Sequence, residues 1–423
     1  MLKNLRLENL GPAPQMDFNF AERLTIVTGD NGLGKTFLLD LAWWALTRTW
    51  IDNRVIHPQF PENGEARVSY SVQGRGETCK SIEREYSQEA LAWAPLPKAR
   101  PPIPGLVVYA RIDGGFSIWD PERNYWKTEG QITPKAFHFK KDDVLAGTEI
   151  ARFKFRGLLE DWETWRLKEN GAFDLLRRVL EKLSPPEHIL QPGASVRVPD
   201  RPGQDVPTIL MPYGEEPVHW TSAGIRHVLS LAYMLVWAWT EHKLAAQTRR
   251  HDPENRIVFL WDEVDAHLHP QWQRVILPAI IEVLSSEIRE EDGFDIQIIA
   301  TTHAPLVLAS LEPVFDEQKD KLFNLQLNSD WRVEIEDIPW IKQGDAVEWL
   351  CSDAFDMKSG YSKEAEDAMR YARQWLEGNK DELPEDFASE DKITQRLESS
   401  LSGSDPFWLK WDFCHNGQRT QRG

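Results

Sequence analysis

Eight consecutive residues, Gly29-Asp30-Asn31-Gly32-Leu33-Gly34-Lys35-Thr36, hold the densest chemical signal in the chain. They fit the pattern G-x-x-x-x-G-K-[ST] at every fixed position. Such a loop turns backbone N–H groups inward onto phosphate oxygens, and a helix starting behind it adds a favourable partial charge. Lys35 is spaced to reach the β- and γ-phosphates, and the Thr36 hydroxyl to ligate Mg²⁺. The flanks suit the loop. Leu24–Thr28 is a β-branched run that reads as a buried strand, and Phe37–Leu46 has the length and residue types of a helix. Strand, glycine-rich turn and helix together predict a cradle for a nucleoside triphosphate.

Three further stretches could complete that chemistry. Arg256-Ile257-Val258-Phe259-Leu260-Trp261 is an apolar strand of parallel-sheet type, and it ends in Asp262-Glu263. An Asp at the end of such a strand supports Mg²⁺, and a Glu directly after it can polarise an attacking water. Ile296–Thr302 is another buried strand, and His303 follows it at the edge where open α/β sheets bind ligands. Trp220-Thr221-Ser222-Ala223-Gly224-Ile225-Arg226 opens an apolar helix running through Trp239. Its Ser-x-Gly turn reads equally as a second anion nest or as the cap of a core helix. Asp265-Ala266-His267-Leu268-His269 offers two histidines but no nearby third ligand, so a structural turn is expected there in place of a zinc site.

The elements that must position these residues follow from periodicity. Residues 4–8 alternate and suggest an edge strand; Met16–Phe20 alternates again, and the two predict a small antiparallel sheet leading into the phosphate-loop strand. Residues 51–135 carry short β-like runs such as Ala66–Val72 and Leu106–Ala110, and the proline-dense stretch Pro95–Pro104 reads as a loop. Lys140–Leu183 has helical spacing, residues 190–218 return to loop and strand, and residues 241–255 read as a polar surface connection. Gln271–Leu284 reads as a helix, Trp331–Glu336 as a strand, and Gly344–Cys351 and Lys363–Gly378 as helical. Residues 379–423 are acidic then polar, anchored by Phe407, Trp408, Leu409, Trp411 and Phe413.

Composition limits the function classes. The 423 residues carry 41% hydrophobic and 27% charged side chains, an ordinary soluble balance. A net charge of -18 opposes an all-over nucleic-acid surface but leaves a local basic track, for example near Arg249-Arg250, open. Three scattered cysteines fit a reducing cytoplasm, and the apolar run Val228–Trp239 is too short to span a bilayer. A soluble cytoplasmic protein without a membrane partner is expected.

These motifs in this order resemble the ABC-type ATPases of the non-transporter branch. That branch holds SMC and RecF proteins, the overcoming-lysogenization-defect nucleases and standalone bacterial AAA family ATPases. Thr221–Arg226 resembles the family signature, with Ala223 in place of a glycine and Ile225-Arg226 after Gly224. Ile257–Glu263 resembles the Walker B strand, with Glu263 as catalytic base; Asp265 falls near the D-loop and His303 resembles the switch histidine. The family's Q-loop glutamine is not assigned to a position. The resemblance implies an α/β fold. Its core would be an ABC-type P-loop ATPase head with a mixed or parallel sheet, flanking helices and an N-terminal antiparallel β part, extended by a short helical lobe and a helical C-terminal segment. The corresponding divisions are 1–139 (phosphate loop), 140–255 (helical lobe, signature and helix), 256–345 (Walker B and switch histidine) and 346–423 (extension).

The resemblance also implies a head-to-head homodimer sandwiching two ATP molecules with Mg²⁺, any higher assembly being left open. Lys35, Glu263 and His303 would be catalytic. Gly29 to Thr36 would bind nucleotide, capped by Ser222, Gly224 and Arg226 of the partner, with Thr36 and Asp262 at the metal. Similarity to ATPases of Septu- and retron-type antiphage systems implies an effector in trans, such as an HNH nuclease, because no glutamate-glycine turn followed by a D-x-D strand occurs after His303. A RecF-like ATP-dependent DNA clamp in repair or recombination is the alternative. The altered signature disfavours a transporter subunit.

Overall fold

The strand Arg256–Trp261 faces two cores at once. Ile257, Phe259 and Trp261 join one apolar cluster, while Val258 and Leu260 join another on the opposite face. Leu106, Val108 and Ala110 alternate in the same way with Val107 and Tyr109. Continuous apolar runs of this kind arise where both faces of a parallel sheet are covered. The computed structural model describes residues 1–58, 64–74, 79–94, 102–124, 136–150, 153–168, 171–288, 295–379 and 383–412. Most of the Pro95–Pro104 stretch, together with Phe413 and Cys414, lies outside them.

The main sheet has eight strands, in spatial order Val333–Ile338, Asp320–Leu327, Leu24–Gly29, Asp295–Thr301, Arg256–Trp261, Leu106–Ala110, Phe116–Trp119 and Phe137–Phe139. The five from Asp320–Leu327 to Leu106–Ala110 run parallel, and antiparallel strands close both edges. A five-stranded antiparallel sheet follows the order Gln15–Asn19, Leu2–Glu8, Arg67–Gln73, Cys79–Ser87, Ala92–Trp93. Helix Lys35–Thr47 shares one core with both sheets: Leu38, Leu41 and Trp43 bury in the same cluster as Leu5 and Val68 and as Val258 and Ile299. That explains why this helix is apolar nearly all round. Helices Gly157–Lys168, Ala172–Leu183 and Ala223–Thr248 supply the other core.

Several expectations change. Leu2–Glu8 is an interior strand with neighbours on both sides, because Arg67–Gln73 pairs with the flank that alternation alone left open. The helical reading of Lys140–Leu183 is interrupted by the hairpin Thr148–Ile150 and Phe153–Phe155, where Phe153 and Phe155 alternate as in a strand but over too few residues to stand out from the helical spacing around them. Helix Ala223–Thr248 runs through much of the stretch read as a polar connection; its solvent side is polar, but His242 and Ala246 are buried. Gln271–Leu284 is broken into Pro270–Gln273, Ile276–Glu282 and a π-turn at Val283–Glu287. Strand Asp320–Leu327, beside the phosphate-loop strand, has mixed polarity and carries no clean alternation signal.

The chain divides into two units, Met1–Phe355 and Asp356–Gly423. In the second, helices Lys363–Leu376 and Glu390–Ser400 bury Ala368, Ala372, Ile393 and Leu397 with Phe407 and Trp411. Ser362 and Ser389 cap these helices through their side chains. Phe407 and Trp411 are thus core residues of this unit, whereas Leu409 is exposed. Helix Glu390–Ser400 escaped the sequence reading, which saw only acidic and polar composition there.

Candidate functional site

The carboxyl ends of three adjacent parallel strands meet at one edge of the main sheet. Leu24–Gly29 delivers the phosphate loop, Arg256–Trp261 delivers Asp262 and Glu263, and Asp295–Thr301 delivers Thr302 and His303. Strand polarity is what aligns them, since every crossover returns to the same end of the sheet. Gly29 has φ +127°, and a Cβ there would lie 2.4 Å from the Leu325 carbonyl oxygen of the neighbouring strand. Only glycine permits that approach.

Lys35 is buried at the base of the loop, and its Nζ donates to the carbonyls of Gly29 (2.7 Å) and Asp30 (2.8 Å). Burial lowers its pKa, opposed by the charges of Glu263 and Asp262. The Thr36 hydroxyl donates to Asp262 Oδ2 at 2.7 Å, and the Thr301 hydroxyl donates to Asp262 Oδ1 at 2.8 Å. Burial raises the Asp262 pKa, while these two hydrogen bonds favour its charged form. Thr301 Oγ1 also accepts from the Glu263 N–H at 2.8 Å, so one hydroxyl positions both carboxylate residues.

Glu263 sits at φ +50°, a left-handed conformation uncommon for a residue with a side chain. The turn that follows is closed by Ala266 N–H donating to the Glu263 carbonyl at 2.9 Å and Leu268 N–H to the Asp265 carbonyl at 3.1 Å. Asp265 Oδ1 accepts from the Thr302 hydroxyl (2.6 Å) and the His303 N–H (3.1 Å), tying this turn to the histidine. His303 Nε2 then lies 3.5 Å from Glu263 Oε1, both side chains about a quarter exposed. Lys35, Thr36, Asp262, Glu263 and His303 are therefore brought together in one chain. Thr301 and Thr302 were overlooked in sequence; two hydroxyls closing an apolar strand just before a histidine were the available signal.

The signature turn is placed otherwise. Ser222 caps helix Ala223–Thr248 by accepting from the Ile225 N–H at 3.3 Å, and Arg226 donates to the His219 carbonyl at 2.7 Å. A Cβ on Gly224 would stand 2.7 Å from the His267 carbonyl oxygen. Among the described residues, no hydrogen bond or ion pair joins Ser222, Gly224 or Arg226 to the phosphate loop. His269 caps the short helix Pro270–Gln273. Among the described residues, no group of three or more His, Cys, Asp or Glu could hold a metal by itself. No described helix is long and apolar enough to cross a membrane.

Residues 213–309, spanning signature, Asp262-Glu263 and His303, match the family described as "AAA domain, putative AbiEii toxin, Type IV TA system". The Septu protein PtuA of Bacillus thuringiensis is 23% identical over 374 residues, covering 84% of each chain. Among solved structures, an SMC head bound to the C-winged helix domain of ScpA superposes with TM-score 0.44 at 16% identity, covering 81% of this chain and 98% of that one. The SMC head domain from Thermotoga maritima gives TM-score 0.39 at 15% identity, with 80% and 99% covered. RecF in its ATPrS complex gives 0.36 at 15%, with 79% and 98% covered. Over residues 213–309 the chain is thus similar to AAA-domain proteins, and over most of its length it is similar to the Septu protein PtuA.

Proposed function

We propose that the chain is a Mg²⁺-dependent ATPase that works as an ATP-sandwiched homodimer and switches an effector protein, a nuclease in trans, in antiphage defence. The observation that carries this reading is the single cluster of Lys35, Thr36, Asp262, Glu263 and His303 at the sheet edge. The residues fit the cofactor. Thr36 and Asp262 offer two hard oxygen donors within 2.7 Å of each other, the type that Mg²⁺ prefers. Held there by Thr36 and Asp262, Mg²⁺ would supply charge neutralisation to the transferred phosphoryl group.

Gly29 to Thr36 would cradle the phosphates, with Lys35 released from its two loop carbonyls to contact them. Asp262 is held by Thr301 at Oδ1, and Oδ2, which accepts from Thr36, would turn to the cofactor together with that hydroxyl. Glu263 would orient the attacking water and take its proton, and His303 would hold Glu263 and the terminal phosphate side in register. Among the described residues Ser222, Gly224 and Arg226 have no hydrogen bond or ion pair to their own phosphate loop, and a second copy would receive them. Such a division makes hydrolysis depend on closure, which is what a switch needs. The Septu relative supports the defence setting.

The test is light scattering of Glu263→Gln with and without Mg-ATP, followed by recovery of the protein from its native cell. A doubling of mass on ATP and co-recovery of a nuclease are expected. A mass indifferent to ATP, with no effector recovered, would overturn the switch.

A further inference from the structure

The edge of the main sheet opposite the phosphate loop carries a cluster of buried charges of its own. Strand Phe116–Trp119 ends there, because Trp119 pairs with Val107 at the start of the neighbouring strand, and Asp120 follows it. Strand Arg256–Trp261 begins there, with Glu254 and Arg256 buried. Helix Ala223–Thr248 spans 26 residues, roughly 39 Å, and carries Glu241 and His242 from the Ser222 turn to this far edge. Four carboxylates each have a basic partner. Glu254 pairs with Arg256 at 2.8 Å, Glu241 with Arg123, Asp120 with His242 at 2.7 Å, and Glu122 with His251 at 3.0 Å.

His242 is fully buried, and both of its ring nitrogens face acceptors. Nδ1 lies 2.7 Å from Asp120 Oδ1, and Nε2 lies 3.0 Å from the Glu254 carbonyl oxygen. A neutral imidazole has one N–H, so one of these contacts would set lone pair against lone pair. Asp120 is already an acceptor: its Oδ1 receives the Glu122 N–H at 2.8 Å, and its Oδ2 faces Arg123 Nε at 3.5 Å. The second proton therefore sits on His242, which makes it a buried cation. His251 repeats the arrangement nearer the surface, with Nε2 3.0 Å from Glu122 Oε2 and Nδ1 2.8 Å from the Asp252 carbonyl oxygen. Two of the four carboxylates thus depend on histidine, a side chain that gives up its charge where arginine does not.

We infer that this cluster is a proton-operated latch: with both histidines charged it pins the far end of helix Ala223–Thr248 to the foot of the strand that carries Asp262 and Glu263, and loss of those protons frees it. Deprotonation strips Asp120 and Glu122 of their histidine cations in a buried setting that also holds Glu241. Burial alone lowers the His242 pKa, but the bond to Asp120 and its charge outweigh that and raise it. With a raised folded-state pKa, the His242 contribution is complete below about pH 6.5 and is lost as pH rises through the folded value. Burial raises the pKa of Glu122, opposed by His251, and that of Glu241, opposed by Arg123. The Met1 amine beside Arg256 and Glu254 is neutral across this range, because burial lowers its pKa to about 5. Lys243 Nζ lies 5.8 Å from the centre of the Trp239 ring, which stacks with His242. The latch requires no nucleotide, so its test is independent of the ATP-site reading.

The test is hydrogen exchange of the full chain without nucleotide, at about pH 6 and about pH 9, corrected for the intrinsic exchange rate. Protection over residues 236–248 and 254–258 should fall by at least about 10-fold at the higher pH, while strand Asp295–Thr301 changes by less than about 3-fold. His242→Gln carries no titrating ring and should remove most of that pH dependence. His251→Gln, at a site nearer the surface, keeps the core intact and should remove a smaller part. Equal protection at the two pH values, a fall spread evenly over the whole chain, or an undiminished fall in either variant overturns the inference.

Discussion

The phosphate-loop half of the site and the signature half are built by different rules. In the first, Thr36, Asp262, Thr301 and Glu263 form one hydrogen-bonded chain, 2.7 to 2.8 Å at each link. In the second, Ser222 caps its own helix, Arg226 donates to the His219 carbonyl, and Gly224 leaves no room for a Cβ beside the His267 carbonyl. The first is held in place by its own hydrogen bonds. The second packs closely at Gly224 against the turn that carries Glu263 and Asp265. In the proposed function the first half would bind nucleotide by itself and the second would act on a partner copy.

That contrast can be broken in several places. Lys35→Ala removes the cation of the preorganised half and should cost nucleotide affinity more than about 100-fold, read by titration with a fluorescent analogue. Ser222→Ala should leave the same titration unchanged on isolated protomers, and a matching loss there would erase the distinction between the halves. Glu263→Gln should keep ATP affinity within about 3-fold while the hydrolysis rate drops at least about 100-fold in a phosphate-release assay. Normal turnover in that variant would remove Glu263 from the role of base.

Thr301→Val deletes one hydroxyl serving two groups. It should lower turnover by about 10-fold and stability by about 1–2 kcal/mol, measured by steady-state kinetics and denaturant unfolding. Gly224→Ala attacks the seam instead. The added methyl meets the His267 carbonyl, so a stability loss of about 1–3 kcal/mol is expected with ADP binding intact.

A further effect concerns pH. His227, on the signature helix, is buried, and burial together with His267 and Lys141 depresses its pKa to about 4. A lowered folded-state pKa means the unfolded chain binds the proton first. The contribution is therefore present above pH 6.5 and lost as pH falls through about 4, with a slope of at most about 1.4 kcal/mol per pH unit. His227→Gln should flatten that part of the acid-unfolding curve, and an unchanged slope would place the titration elsewhere.

Much of this molecule is local and therefore readable. The glycine pattern at Gly29–Thr36, the unbroken apolar runs ending in Asp262-Glu263 and in Thr301-Thr302-His303, and the helix start at Ser222 depend on short-range sterics and on burial of both sheet faces. Those forces act within ten residues, so the sequence by itself determined the phosphate cradle, the acidic strand end and the α/β class. Pairing does not act locally. That Leu2–Glu8 lies inside a sheet, that Asp320–Leu327 pairs with the phosphate-loop strand, and that helix Ala223–Thr248 continues past Trp239 were decided by partners distant in sequence. The same holds at the site. Thr301 reaches Asp262 across 39 positions, and Gly224 touches His267. Only the folded sheet sets those distances, because parallel strands bring together the ends of segments that no periodicity connects.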